Sequence, residues 1–251
     1  MQISISNAIG GGGGAQGSGS SFASTNSFEF DGSTDYIQTT STYSELDGAT
    51  ALTISFWAKS TSAVLSTPIH IDQGSNRQFY IALFSTGRIS FKKNINTDNT
   101  GIRADSGTPH DGNWNHIMIC MDLSASPKGA IFFNGNNITH SVTLDTNPIQ
   151  TSTGNLYLNE GNKDFTGNID EVAIWSGTDL RNDVATIYNG GVPNDLNNNG
   201  LTAPTTWWRM GEAANYLGGA WKLTDQGSGG NNGTSTTIPA PPAQPSTDVP
   251  T

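Results

Sequence analysis

Two adjacent carboxylates, Asp170 and Glu171 in FTGNIDEVAIW (165–175), are by residue type the best candidates for acid–base chemistry. Neighbouring side chains of a regular strand point to opposite faces, so this pair cannot converge on one substrate. Retaining glycoside chemistry needs its two carboxyls about 5–5.5 Å apart. Accepting hydrogen bonds from nearby loops is the role their placement favours. The four histidines, His70, His110, His116 and His140, show neither zinc-ligand spacing nor a triad with a serine. Cys120, the single cysteine, sits in the apolar run IMICMD and reads as a small core residue, which excludes an intramolecular disulfide. Among the six tryptophans, Trp57, Trp114 and Trp175 fall inside strand patterns and read as core. Trp207 and Trp208 are adjacent, so one should face inward and the other outward or toward a neighbouring subunit. Trp221, in a glycine-flanked stretch, is the first candidate for an aromatic platform under a sugar ring, and Trp208 the second.

Such residues need a scaffold, and the pattern is one of strands. Phe28 and Phe30 alternate inward in FEFDGSTDYIQ (28–38), a DGS turn follows, and Tyr36 resumes the strand. LTISFWAKS (52–60) alternates within an apolar run that suits a strand covered on both faces. FYIALFSTGRISFK (79–92) reads as a hairpin around Ser85-Thr86-Gly87. NWNHIMICMD (113–122) and GAIFFNGN (129–136) form a second pair, and NLYLNEG (155–161) with FTGNIDEVAIW a third. The period changes over 182–189, where Val184, Ile187 and Tyr188 share a helical face, Asn182 can cap, and Gly190-Gly191 with Pro193 stop it. TTWWRMGE (205–212) is a late strand. The expected architecture is all-β, an antiparallel β-sandwich with one short helix near 182–189.

Organisation follows composition. Residues 1–22 read as an N-terminal arm and Gly/Ser-rich linker, 23–237 as the folded domain and 238–251 as a Pro-rich extended tail. Ile3, Ile5 and Ile9 could supply one apolar strand face for a neighbouring subunit. A net charge of −10, with Lys92-Lys93 the only adjacent basic pair, disfavours nucleic acid as a partner. No stretch is apolar enough for membrane insertion, and MQISISNAIGGGGG lacks the basic and apolar regions of a signal peptide. A location outside the cell would then be reached by another route, such as release of a virus particle by lysis.

Several segments resemble, in order, the laminin-G-like branch of the concanavalin A-like lectin/glucanase jelly rolls. FEFDGSTDYIQ is similar to the family's "FDGxxDYV", LTISFWAKS to "FTxSxWVK", DGNWNHIMICMD to "DGxWHHVAVxxD", IFFNGN to "LYVDG" and TGNIDEVAIW to "fxGxIDEVxIW". The segment from Thr166 to Arg209 also resembles the pentraxins of the same superfamily. WWRMGE with DQGSGGNNGT resembles a strand motif that often precedes the FDG strand, moved here to the back of the chain. Together with the glycine-rich arm, that arrangement resembles marine phage virion proteins.

The resemblance implies a jelly-roll sandwich that binds glycan or protein surfaces. Laminarinase-like hydrolases on this fold carry "ExDxxE" on one strand. With Asp170 in the middle place the flanking positions are Asn168 and Ala173, which cannot serve, so no catalytic residue is expected. Pentraxin-like members hold Ca²⁺ with oxygens from two loops. The counterparts here, HIDQGSNRQ (70–78) and NEGNKDF (159–165), offer Asp72, Asn76, Glu160 and Asp164. The reading that results is a non-catalytic, lectin-like surface module of a virus particle, partnered by neighbouring virion or oligomer subunits and a host-surface glycan. The alternatives are a purely structural subunit-contact protein and a polysaccharide hydrolase.

Overall fold

A computed structural model describes residues 22–73, 76–94, 100–159 and 164–251, with backbone only at 72, 73, 76 and 77. The arm over 1–21, with Ile3, Ile5 and Ile9, lies outside the described residues. The first strands are β1 (Phe28–Asp31), β2 (Ile37–Thr39), β3 (Ala51–Lys59), β4 (Ser66–Gln73), β5 (Asn76–Leu83) and β6 (Ile89–Lys93). Next come β7 (Thr100–Ala104), β8 (Trp114–Asp122), β9 (Gly129–Phe133), β10 (Asn136–Asn137), β11 (Thr139–Val142) and β12 (Leu156–Leu158). The chain ends with β13 (Thr166–Ser176), helix α1 (Val184–Tyr188), β14 (Thr206–Trp208), β15 (Ala214–Leu217), β16 (Ala220–Leu223) and β17 (Gly233–Ser235).

These strands make the expected antiparallel jelly-roll sandwich. One sheet has seven strands in the order β1-β13-β3-β8-β9-β10, with β14 also on β13; the other has ten, β11-β7-β6-β5-β4-β12-β2-β17-β16-β15. The Ser85-Thr86-Gly87 hairpin forms between β5 and β6. The expected pairing of NLYLNEG with FTGNIDEVAIW does not form. β12 pairs with β2 and β4 in the larger sheet, whereas β13 lies in the smaller one. Consecutive strands of a jelly roll cross between sheets, so adjacency in sequence does not mean a shared ladder.

Between the sheets lies the main core, which includes Phe28, Phe30, Phe56, Phe79, Phe91 and Trp208. A second cluster covers the outer face of the smaller sheet: Met118, Cys120, Trp175, Leu180, Ile187 and Trp207 are buried there, with Phe22 and Val184 against them. This second layer explains why β3 and β8 are buried on both faces. Burying each large apolar side chain contributes about 1.5–3 kcal/mol, so the helix side is a true second core. The helix begins after Asp183 rather than the expected Asn182, and Asp183 makes no side-chain cap bond. Contact with the sheet holds so short a helix, since propensity alone cannot.

The two ends of the domain meet on β13. β1 pairs with Thr166–Ile169 and β14 with Val172–Ile174, so the first strand and the late WW strand lie end to end along one edge. The tail covers the other edge of β1, where Ser27 and Ser246 exchange both backbone bonds at 2.9 Å. Asp248 then bonds Lys59 Nζ at 2.6 Å and Trp114 Nε1 at 2.8 Å. The tail therefore docks on its own domain, where it shields an edge that would otherwise present unpaired backbone groups.

Candidate functional site

The acidic pair sits at the seam between β1 and β14. The ladder with β3 shifts between Asp170 and Ala173, and Glu171 has φ +48°, a left-handed conformation that strains any residue with a Cβ. This bulge breaks the regular alternation, so the expectation of opposite faces fails and both carboxylates reach the same surroundings. Ser24 Oγ donates to Asp170 Oδ2 at 2.6 Å. Trp207 Nε1 donates to Glu171 Oε2 at 2.7 Å and Arg209 Nε to Oε1 at 3.2 Å. Arg209 also reaches the Ala23 carbonyl, and the Asn26 backbone donates to Glu212. Phe22 stacks on Trp207 at 5.9 Å and lies under the Arg209 guanidinium.

Residues 22–26 thus close over the carboxylates, which are 0% and 4% exposed. Burial, with repulsion from Glu171, pushes the Asp170 acid well above its ordinary value. Burial likewise pushes Glu171 up to about 7, against the pull of Arg209 and Trp207. A pair with this burial and these donors is a structural lock on the seam. The buried Ser55 Oγ and His116 Nε2, 2.8 Å apart, are similarly sealed, under Trp57 and Tyr188.

The tryptophan platforms are placed differently from expectation. Trp221 lies on β16, 3% exposed, edge-on to Phe28 and Tyr216, with Nε1 donating to the Pro239 carbonyl. Trp208 is 0% exposed in the main core and bonds the Asn231 carbonyl. Trp207 faces the second core, so neither member of the pair turns to solvent, because the outer face has its own cover. Neither candidate offers a ring face to a ligand in this conformation.

Strand register places the backbone of Asp72 and Asn76 and the start of the loop that carries Asp164. Leu158 pairs with Ile69 and the Asn159 N–H bonds the Pro68 carbonyl, so the loop carrying Asp164 leaves the sheet at the start of β4. Asp72 pairs with Arg77 at the other end of β4, and Gln73 with Asn76. Four residues of strand, about 13 Å of backbone, lie between these two points of β4. Asp164 neighbours Asp31, and burial with that like charge raises its pKa. Glu160 lies outside the described residues. Among the described residues no group of three or more His, Cys, Asp and Glu side chains is arranged to hold a metal.

The open chemistry is on the outer face of the larger sheet. Cross-strand pairing sets Gln38, Tyr157, His70, Tyr80, Lys92 and Gly101 side by side on one rung. Tyr157 stacks on His70 at 5.4 Å. The next rung pairs Ala82 with Ser90, Ser90 with Arg103 and Arg103 with Ser141. At the β11 end a groove of about 440 Å³ opens over Tyr80, Lys92, Gly101, Arg103, Ser141 and Thr143, with Phe84 and Arg88 at its hairpin end. Gly101 makes its floor: a Cβ there would lie 2.0 Å from the Phe91 carbonyl oxygen and 2.9 Å from the Lys92 side chain. The sequence carried a trace of this face, since Tyr80, Ala82 and Phe84 alternate with inward Phe79, Ile81 and Leu83. The "basic pair" is split the same way. Lys93 points in and bonds Asp145 at 2.5 Å, while Lys92 lines the groove.

No curated protein matches this chain. Among solved structures, a native heptameric SAP-like pentraxin from Limulus polyphemus superposes with TM-score 0.53 at 15% identity, over 65% of this chain and 82% of the pentraxin. Domains LG4-5 of the mouse laminin alpha1 chain give 0.47 at 13% identity, over 60% and 41% of the two chains. The Ruminococcus gnavus IT-sialidase CBM40 bound to alpha2,3 sialyllactose gives 0.47 at 15%, over 63% and 94%. At these identities the pentraxin likeness is one of fold alone, and the other two carry no argument. The sequence itself goes further, matching the Laminin_G_3 family model over residues 31–185. That match spans well over half of the 251 residues, and the chain belongs to this laminin-G-like family of the concanavalin A-like lectin/glucanases superfamily.

Proposed function

We propose that this chain is a non-catalytic glycan-binding module displayed outside the cell, on the surface of a virus particle or a comparable assembly. One observation carries the reading. A single rung of the larger sheet aligns Tyr157 and Tyr80 with a polar groove floored by Gly101. Sugar chains are bound by such combinations of aromatic faces and hydroxyl or charged groups on a preformed surface. The sealed state of Asp170 and Glu171 supports the non-catalytic part, since a general acid must reach the bond it cleaves. The virion setting is supported by the glycine-rich arm and the late WWRMGE strand.

A glycan array probed with the full chain and with Tyr80→Ala tests this. Binding that weakens about five- to tenfold in the variant, the worth of one aromatic contact, is the expected result. Reducing-sugar release from laminarin or agar would favour the hydrolase instead. A subunit-contact role is the second reading. It is favoured by the β15–β16 hairpin at the end of the larger sheet, where Leu217 is 72% exposed and Tyr216 39%. Loss of oligomer in Leu217→Lys by light scattering, with a blank glycan array, would establish it.

A further inference from the structure

We propose that the groove takes an anionic glycan, one carrying carboxylate or sulfate groups. The inference rests on the glycan-binding reading and names the charge of its ligand. The chain has a net charge of −10 and only 11 lysines and arginines, yet Arg88, Lys92 and Arg103 line this one groove. Lys93 is buried on Asp145, Arg181 holds Asp179 and the Pro127 carbonyl, and Arg209 holds Glu171 and the Ala23 carbonyl. Lys92 and Arg103 are diagonal neighbours across β6 and β7, about 7–8 Å apart at the backbone.

The two arginines are set up as donors. The Arg88 guanidinium lies 3.4 Å over the Phe84 ring, and its Nε is buried without a hydrogen-bond partner. A buried, unsatisfied donor carries a desolvation cost that an incoming oxygen would relieve. Arg103 is held by its Nε on Asp105 Oδ1 at 2.6 Å, and no described acceptor engages its terminal nitrogens. A fixed guanidinium fork matches the paired oxygens of a carboxylate or sulfate. Among the described residues Asp105 is the carboxylate that Arg103 engages, and cations surround it. His140 Nε2 stands 3.5 Å from its other oxygen, and the Arg103 bond, with nearby His140 and Arg88, holds its acid below the ordinary range. At physiological ionic strength the field of an exposed charge decays over about 8 Å, so the acidic surface farther away is largely screened from this groove.

The test is biolayer interferometry of the full chain against heparin, hyaluronan, laminarin and poly-L-glutamate at low and high salt. Variants Arg88→Gln and Arg103→Gln are compared with Lys59→Gln on the opposite sheet, and melting curves confirm that each folds. Binding to heparin or hyaluronan, weakened about tenfold by either arginine substitution and unchanged by Lys59→Gln, is the expected result. The preferred ligand of those two says whether sulfate or carboxylate is read. Laminarin bound as tightly as the acidic glycans, unaffected by Arg→Gln but weakened by Tyr80→Ala, overturns the anionic inference and leaves the glycan reading standing. Poly-L-glutamate bound as tightly as heparin also overturns it, since the groove would then recognise charge without sugar. Binding to none of the four overturns the glycan reading itself.

Discussion

The two outer faces of this sandwich make opposite uses of polar residues. On the smaller sheet, the side chains that most suggest chemistry are sealed: Asp170 and Glu171 lie beneath residues 22–26, and Ser55 with His116 beneath Trp57 and Tyr188. On the larger sheet, residues of unremarkable spacing form an open groove with three cations and an aromatic approach. The lesson is that accessibility, more than residue type, separates a site from a lock. A carboxylate that already accepts from a tryptophan N–H and an arginine, beneath a strap of main chain, has no oxygen to offer a substrate.

Breaking the sealed side should cost most. Trp207→Ala removes a buried ring of the second core and its bond to Glu171, a loss of about 3–5 kcal/mol. Calorimetry should show Tm lower by about 10 °C, while the folded fraction keeps its ligand affinity. Retained stability with lost binding would instead make Trp207 a contact residue and dissolve the contrast between faces.

The next effect is on pH dependence. The raised acids of Glu171, to about 7, and of Asp170 mean that the folded state keeps protons the unfolded chain would release. Their stabilising contribution is complete below the ordinary glutamate value of 4.5 and is lost as pH rises toward about 7. Tm should therefore decline by several degrees between pH 5 and 8, and Glu171→Gln should flatten that slope. Asp145 and Asp248 act in the opposite sense. Burial works against them, but Lys93 and Lys59 hold their pKa below 3.8, so their contribution is lost as pH falls through that lower window.

Smaller effects belong to the open side. Arg88→Gln and Arg103→Gln should shift stability by no more than about 0.5 kcal/mol, as for surface positions outside the core. A large loss of Tm would mean that the groove is itself a structural lock. Smallest of all, EDTA should move Tm by less than about 1 °C, since among the described residues no group of three or more His, Cys, Asp and Glu side chains is arranged to hold a metal. A Tm that rises with Ca²⁺ would favour the oxygens of Asp72, Asn76, Glu160 and Asp164 as ligands.

Much of the scaffold is legible in the sequence. Alternation locates β3, β5, β6, β8 and β9, and the change of period locates α1, because each is a local property of side chains along the chain. The bulge at Glu171 is not legible. No glycine marks it, and it exists because β14 takes over from β1 as the partner of β13, a tertiary event. The placement of β12 beside β4 rather than β13 is hidden for the same reason. The groove needs Arg88, Lys92 and Arg103 in register on neighbouring strands, and no spacing along one dimension shows three cations meeting. Trp221 looks like a loop residue between glycines and alanine, yet Phe28, more than 190 positions away, buries it.

The pairing of Ser27 with Ser246 has a mechanical consequence. In an antiparallel pair the chain before the first residue and the chain after the second leave from the same end of the ladder. Tension between the arm and the tail would therefore peel the bonds of residues 22–26, the Asp248 bonds and then the Ser27–Ser246 pair one at a time, rather than shear them together. Such a clasp opens at low force and recloses readily. A module held by both ends would lengthen there first, under load, with the sandwich and its groove still folded.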